Sequence, residues 1–312
     1  MIRYTAKRLL MMIPVVLAVA TLTFFLMKLS PGDPASAALG EKASAEAVDA
    51  LRHEWGLDRP VILQYVSFLG QLVTGNLGTS YLYQVPVVDL MQNRLPATLL
   101  LMMMSTIFAV VISLPLSLWM ATSQNPLPSL LIKVFNAIVQ GMPTFLIGIL
   151  LLISLALNAG FFPVGGYGET FGDHLHFLVL PSIAVALTIC PLLIRSLTTS
   201  LSESLQSEYV KFAIAKGLSP RRVNLNYALR NGSISGISIL GIQVGGLVGG
   251  ALVVENVFAI PGMGSLLMDA VLKRDYIVVQ SSTVIFGVMV VFVYFFTDLV
   301  YGWLDPRARF KG

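Results

Sequence analysis

Few residues of this 312-residue chain are of types that do chemistry, and their spacing restricts what that chemistry could be. Glu169, Asp173, His174 and His176 are the nearest approach to a metal-ligand set. Two histidines at i and i+2 in a Gly-rich stretch are weak as ligands and read better as exposed loop residues. Cys190 is the only cysteine and lies in an apolar run, so it forms no disulfide framework or Cys-rich metal site and reads as a small buried side chain. An intramembrane serine protease would need Gly-x-Ser-x-Gly or a serine paired with an intramembrane base, and no histidine lies in any apolar run. No glycine is followed by lysine, so the Gly-x-x-x-x-Gly-Lys-Ser/Thr phosphate loop is missing and any ATP chemistry must come from elsewhere. Asp298 is the one charge inside an apolar run; two turns before Asp305 it falls near a membrane boundary and reads as a structural polar contact rather than a proton relay.

These residues are placed by a chain made for a membrane. It is 56% hydrophobic and 12% charged, with a mean hydropathy of +0.81, whereas soluble domains carry about 25% charged residues. Six low-charge runs are long enough to cross the bilayer as helices: Leu9 to Met27, Thr98 to Ala121, Val134 to Leu157, Phe177 to Ile194, Ser233 to Val254 and Ile277 to Trp303. The fourth tolerates Pro181 and Pro191 if neighbouring helices satisfy the freed carbonyls. The first resembles a signal peptide at Ala18-Val19-Ala20, but its apolar run continues to Met27 and predicts an uncleaved span. With the N-terminus inside, the cytoplasmic segments hold thirteen Lys and Arg and the outside segments seven, so both termini are expected in the cytoplasm. The expected division is 1–29, tail and first span; 30–97, extracytoplasmic; and 98–312, a five-span core carrying a basic cytoplasmic loop at 195–230.

The outside segment opens at Pro31-Gly32-Asp33-Pro34, a chain reversal. Val48, Leu51 and Trp55 then form a helical stripe with Ser44 as N-cap and Gly56 as stop, a short helix on the membrane surface. Gly75 to Ser80 reads as irregular loop packed on the outer ends of the spans.

In the basic loop, Tyr209, Phe212, Ala213 and Lys216 keep helical spacing, Gly217 suits the left-handed C′ position, and Ser219-Pro220 can start a second helix. The result is a sharp corner, small at Ala213 and Ala215, ringed by Glu208, Lys211, Arg221 and Arg222, and shaped to enter a groove on another protein. A solvated connector is the competing reading; a DNA-reading helix pair is not, because the turn is pinned between two spans.

Glu208-Tyr209-Val210-Lys211-Phe212-Ala213-Ile214-Ala215-Lys216-Gly217-Leu218-Ser219 resembles the EAA loop of ABC importer permeases, in the form used by the dipeptide, oligopeptide and nickel group. The resemblance covers nearly the whole chain, with Pro31-Gly32-Asp33-Pro34, Gly56-Leu57-Asp58-Arg59-Pro60, Gly75 to Ser80, Arg94-Leu95-Pro96-Ala97-Thr98, Val254-Glu255-Asn256-Val257-Phe258, Pro261-Gly262-Met263-Gly264, Arg274-Asp275-Tyr276 and Asp305-Pro306-Arg307 in the family's order. It implies an all-α, six-span type I permease fold in a bacterial inner membrane. Glu208, Tyr209, Ala213, Ala215, Lys216, Gly217, Leu218, Ser219 and Pro220 would dock into a cytoplasmic ATPase and transmit ATP-driven closure. Its implied partners are a second homologous permease, two ATPases that hold ATP and Mg, and an extracytoplasmic substrate-binding protein; this chain would hold no cofactor or metal. The implied cargo is short peptides first, with glutathione or a nickel chelate as alternatives. Ile214 departs from the family, which usually has Arg there, and removes one expected ion pair.

Gly241, Gly245 and Gly249 recur every four residues in the fifth span, with Gly246 and Gly250 a second pair. This spacing suits tight helix packing, and equally a smooth face that slides or lines the pore with help from Ser233, Ser235, Ser238 and Gln243. A passive channel is the reading from another class, and it would have no use for an ATPase-docking corner.

Overall fold

A computed structural model describes residues 2–29, 32–40, 43–123 and 125–304. Pro31 of the expected reversal and the Asp305-Pro306-Arg307 motif lie outside the described residues. Among those described, regular structure is helical, and the only strand-like pairing is an isolated bridge between Thr79 and Pro86.

Among the described residues, five helices are long and apolar enough to cross a membrane: α1 (Ile2–Leu29), α5 (Val87–Thr122), α8 (Phe171–Leu205), α11 (Leu229–Val257) and α13 (Tyr276–Leu304). Between them, in chain order, lie α2 (Pro34–Leu39), α3 (Ala45–Glu54), α4 (Val61–Val73), α6 (Pro126–Gly141), α7 (Thr144–Leu151, continued as a π-helix to Asn158), α9 (Glu208–Ala215), α10 (Pro220–Arg222, joined to α11 by a π-turn) and α12 (Met263–Leu272). The expected third span is not one straight helix. It is the pair α6 and α7, bent by 109°, which makes the sixth span if counted as one. Proline explains the break: Pro143 has no N–H to donate and forces Met142 into an extended conformation, ψ 133°.

α8 is the axis of the bundle, packed on α5, α6, α7 and α11. Its contact with α5 is close, the Cys190 thiol lying 3.9 Å from the Ala109 carbonyl, and Ala109 and Ala186 in that core are fully buried and present almost no bulk, the small-residue packing that holds helices together where lipid is as apolar as the side chains; Ala184 packs instead with Val139 of α6 and Ile147 of α7. α8 has 35 residues, about 52 Å at 1.5 Å each, well beyond a hydrocarbon core of about 30 Å. It therefore absorbs residues 195–205, expected as loop. It also absorbs His174 and His176, expected in a Gly-rich loop, because a capping box between Thr170 and Asp173 starts the helix before them. α5 likewise begins eleven residues ahead of the expected Thr98, with Val87 and Met91 buried and Pro96 inside the helix.

α1 is peripheral, packed mainly on α13, where Gly287 admits it so closely that an added Cβ would lie 2.5 Å from Val19. Asp33 and Ser44 cap α2 and α3 as acceptors for Ser36 N (2.9 Å) and Ala47 N (3.2 Å). Gly56, φ +64°, closes α3. α4, not anticipated, exposes Ile62, Leu63 and Val66 and gathers Tyr65 and Phe68 around Phe24 of α1, with ring centroids 5.4 and 5.6 Å apart.

Candidate functional site

The two ends of the bundle differ. At one, α8 passes through Gln206 and Ser207 into α9, which stands out as a corner before the chain turns back at α10. α9 closes with a Schellman motif: Gly217, φ +77°, bonds to the Ile214 carbonyl (2.8 Å) and Leu218 N to the Ala213 carbonyl (3.3 Å). Ser219 then takes the extended N-cap conformation and Pro220 occupies the first helical position, though the Ser219 side chain makes no capping bond. Val210, Ala213 and Val223, with Leu218 and Tyr227 against them, form a small core under the corner. Tyr209 ties the corner to α8 through a 2.5 Å hydroxyl contact with Ser204. Burial alone would raise the Tyr209 phenol, but hydrogen bonds to Ser204, Ser207 and Asn231 outweigh it and lower the pKa.

Ala213 is therefore not on the corner's surface. It is buried against Val210 and Val223, so its small size lets α9 close onto its own chain, and Leu218 supports it from below. What projects is Phe212 (62% exposed), Ile214 (59%), Ala215, Lys216, Gly217, Ser219 and Pro220, with Glu208 and Lys211 paired at 2.8 Å on the flank. The Lys216 ammonium sits 4.5 Å over the Phe212 ring. An added Cβ on Gly217 would meet nothing within 4 Å, so the space beside it is open among the described residues.

The glycines of α11 divide between two faces. A Cβ on Gly241 would fall 2.0 Å from Thr297, and one on Gly245 would fall 2.8 Å from Tyr294, so these two pack on α13. Gly249, expected with them, faces open space together with Gly246 and Gly250, and Gln243 is half-buried. Gly232 and Gly236, also four apart, let α11 meet Leu201 and Leu197 of α8, a pairing whose only signal in the sequence is that spacing.

The other end is locked by carboxylates that sequence reading had only as members of motifs. Glu255, fully buried, accepts from Thr98 Oγ1 (2.6 Å), Gly264 N (2.7 Å) and Ser265 N (3.0 Å), and so caps α12 from outside it. Thr98 in turn accepts from Met263 N (2.8 Å), and Arg94 donates to Ser265 Oγ (3.2 Å). Gly262 must be glycine here, since a Cβ would lie 2.2 Å from the Glu255 carboxyl carbon. Asp275, also fully buried, accepts from Val278 N (3.2 Å) at the start of α13 and from Ser80 Oγ (2.5 Å). Ser281 donates to the Leu77 carbonyl (3.1 Å), and a Cβ on Gly78 would sit 2.9 Å from Ile277. The Gly75–Ser80 loop is thus packed on the end of a span, as its composition suggested. Burial, and then the Asp275 carboxylate, push the neighbouring Tyr81 hydroxyl up to about 12.

His174 stacks on Tyr167 with centroids 3.9 Å apart and bonds to its carbonyl at 2.7 Å, while His176 leans on Phe162; among the described residues no group of three His, Cys, Asp or Glu could hold a metal. Asp298 meets Arg8 at 2.7 Å and so joins α13 to α1. Cys190 is buried, its thiol 3.9 Å from the Ala109 carbonyl.

Residues 113–310 match the family described as binding-protein-dependent transport system inner membrane component, and residues 1–102 match the N-terminal region of such components. The chain is 35% identical to the oligopeptide transport system permease protein AppB of Bacillus subtilis, over 99% of this chain and all of that one. It is 32% identical to the dipeptide transport system permease protein DppB of Lactococcus lactis subsp. cremoris, over 99% of this chain and all of the relative. It is 33% identical over the full length of both chains to the glutathione transport system permease protein GsiC of Salmonella paratyphi A. Among solved structures, an inward-facing conformation of the MetNI methionine ABC transporter shares the fold at 15% identity, with a TM-score of 0.59, covering 69% of this chain and 96% of that one.

Proposed function

We propose that this chain, which belongs to the family of binding-protein-dependent transport system inner membrane components, is one of two permease subunits through which an ATP-driven importer takes up short peptides. The observation that carries the reading is the corner at 208–220, a closed helix held clear of the bundle between two spans, with Phe212 and Ile214 open beside paired charges. A rigid element bearing on a moving partner transmits a two-state change only through contacts that differ between the states, and this corner is built to carry such contacts. Ala215, Lys216, Gly217, Ser219 and Pro220 enter the ATPase cleft, Glu208 and Tyr209 set the angle of α9, and Ala213 and Leu218 hold the corner rigid from beneath. ATP and Mg belong to two ATPase subunits, and a substrate-binding protein delivers cargo at the opposite end.

The corner end is cytoplasmic, as are both termini, because thirteen of twenty Lys and Arg lie on that side by the sequence count. The 30–97 segment and the Glu255 and Asp275 locks then face outward. Gly241 and Gly245 pack the last span, whereas Gly249 and Gln243 are left for the second permease or the path. Peptides rank first because relatives named for dipeptide and oligopeptide transport align end to end; the equally complete match to a relative named for glutathione transport favours that tripeptide as the second reading. Reconstitution of this chain with its partner permease, ATPases and binding protein tests the proposal. ATP-dependent uptake of a labelled dipeptide is expected, lost when the ATPases are omitted; uptake that persists without them would identify a passive channel instead.

A further inference from the structure

α8 has one open face. Leu192, Arg195, Ser196, Thr199, Ser200 and Glu203 follow one another on it at three- and four-residue steps and line a shallow hollow of about 270 Å³. The rest of this helix is the most buried of the spans, 67% in its apolar window against 17% for α1 and α13. The faces that α1 and α13 turn outward are what lipid requires: Leu10, Ile13, Leu22 and Phe25 on one, Phe292 and Phe296 on the other. The open face of α8 is hydroxyl-bearing and charged, which hydrocarbon would reject, so it meets water or a polar ligand. Among the described residues, neither the Arg195 guanidinium nor the Glu203 carboxylate has a hydrogen bond or ion pair. Eight residues set them about 12 Å apart along the axis, and both side chains are long enough to lean inward.

We propose that this face is a subsite for the zwitterionic backbone of a short peptide at the cytoplasmic end of the translocation path, a step that rests on the peptide-import reading. Arg195 takes the C-terminal carboxylate, Glu203 takes the N-terminal ammonium, and the Ser196 and Thr199 hydroxyls face the amides between. Recognition of the two termini rather than the side chains suits a carrier of varied sequences. The hollow is also one turn from the corner: α8 ends at Leu205, and Ser204 is bonded to Tyr209 of α9, so motion of the corner displaces this face directly.

The test uses the complete reconstituted importer and radiolabelled dialanine. Arg195→Gln and Glu203→Gln are each expected to assemble and to keep binding-protein-stimulated ATP hydrolysis within about twofold, while uptake falls roughly tenfold, the scale of one lost charge-assisted contact. In a Cys190→Ser background, Thr199→Cys should react with a water-soluble thiol reagent in the assembled complex, more slowly when dialanine is being transported. Unchanged uptake in both Gln variants, uptake lost only in step with assembly or hydrolysis, or a Thr199→Cys thiol that water cannot reach would each overturn the subsite. If the unaltered complex hydrolyses ATP with its binding protein but carries no dialanine, the peptide reading fails and takes the subsite with it; uptake of dialanine that ignores Arg195 and Glu203 removes the subsite alone.

Discussion

At the end of the bundle opposite the corner, Glu255 and Asp275 are sealed from solvent and each holds the start of a helix, whereas at the corner Glu208 and Lys211 meet only each other in the open. A buried carboxylate persists only where several donors replace its water, and each donor is then left stranded if the carboxylate goes. An exposed i,i+3 pair stabilises little and constrains less. The contrast separates a frame from a projecting corner: one end fixes α5, α11, α12 and α13 relative to one another, and the other leaves α9 free of the bundle except through Val210, Ala213 and Tyr209.

The contrast breaks most visibly at Glu255. Glu255→Ala strands the Thr98 hydroxyl and the Gly264 and Ser265 amides in a dry site, and we expect a loss of about 3–5 kcal/mol, read as a collapse in thermal unfolding midpoint and yield of the detergent-purified protein. Asp275→Ala removes a helix cap and the Ser80 anchor together; about 1–3 kcal/mol is expected in the same assay, with faster protease cleavage in the 75–86 loop. Arg8→Ala breaks the contact with Asp298, but both side chains are more than a third exposed, so the change should stay within about 1 kcal/mol. Smallest of all, Ile214→Arg restores the family's usual residue on an exposed site and should shift stability by less than about 0.5 kcal/mol, leaving any effect to appear in coupling between hydrolysis and uptake.

The shape of the corner was legible in the sequence because its signals are local. Gly217 and Ser219-Pro220 mark the corner's turn through backbone preferences that act within four residues, and the helices stop and start where those preferences say. The spans were legible for the same reason, since an apolar run needs no partner to announce it. Their ends were not: α8 runs past Ile194 because a helix can outlast the bilayer, and the bend at Pro143 hid inside a run that carries no charge. The frame was the least legible part. Thr98 lies 157 residues before Glu255, and even Gly264, nine residues after it, meets it only because the chain turns back between α11 and α12; in the sequence they are motifs with an order but no mechanism. Ala213 shows the same limit in miniature: its small size was plain, but whether it served the surface or the small core beneath depended on Val223, ten residues on.

The central claim is that the corner couples this chain to an ATPase, and Gly217→Trp tests it most directly. No neighbour lies within 4 Å of an added Cβ on Gly217, so the indole would project into the space a partner must occupy; the left-handed backbone there is strained by any side chain, by about 1–2 kcal/mol, a cost that Gly217→Ala shares without the bulk and that serves as the control. The measurement is copurification of the ATPase subunits with the tagged variant, alongside its amount in the membrane. Normal membrane levels, loss of the ATPases from the complex and no ATP-driven uptake are expected. A Gly217→Trp variant that retains its ATPases and transports at the rate of the unaltered protein would contradict the central claim.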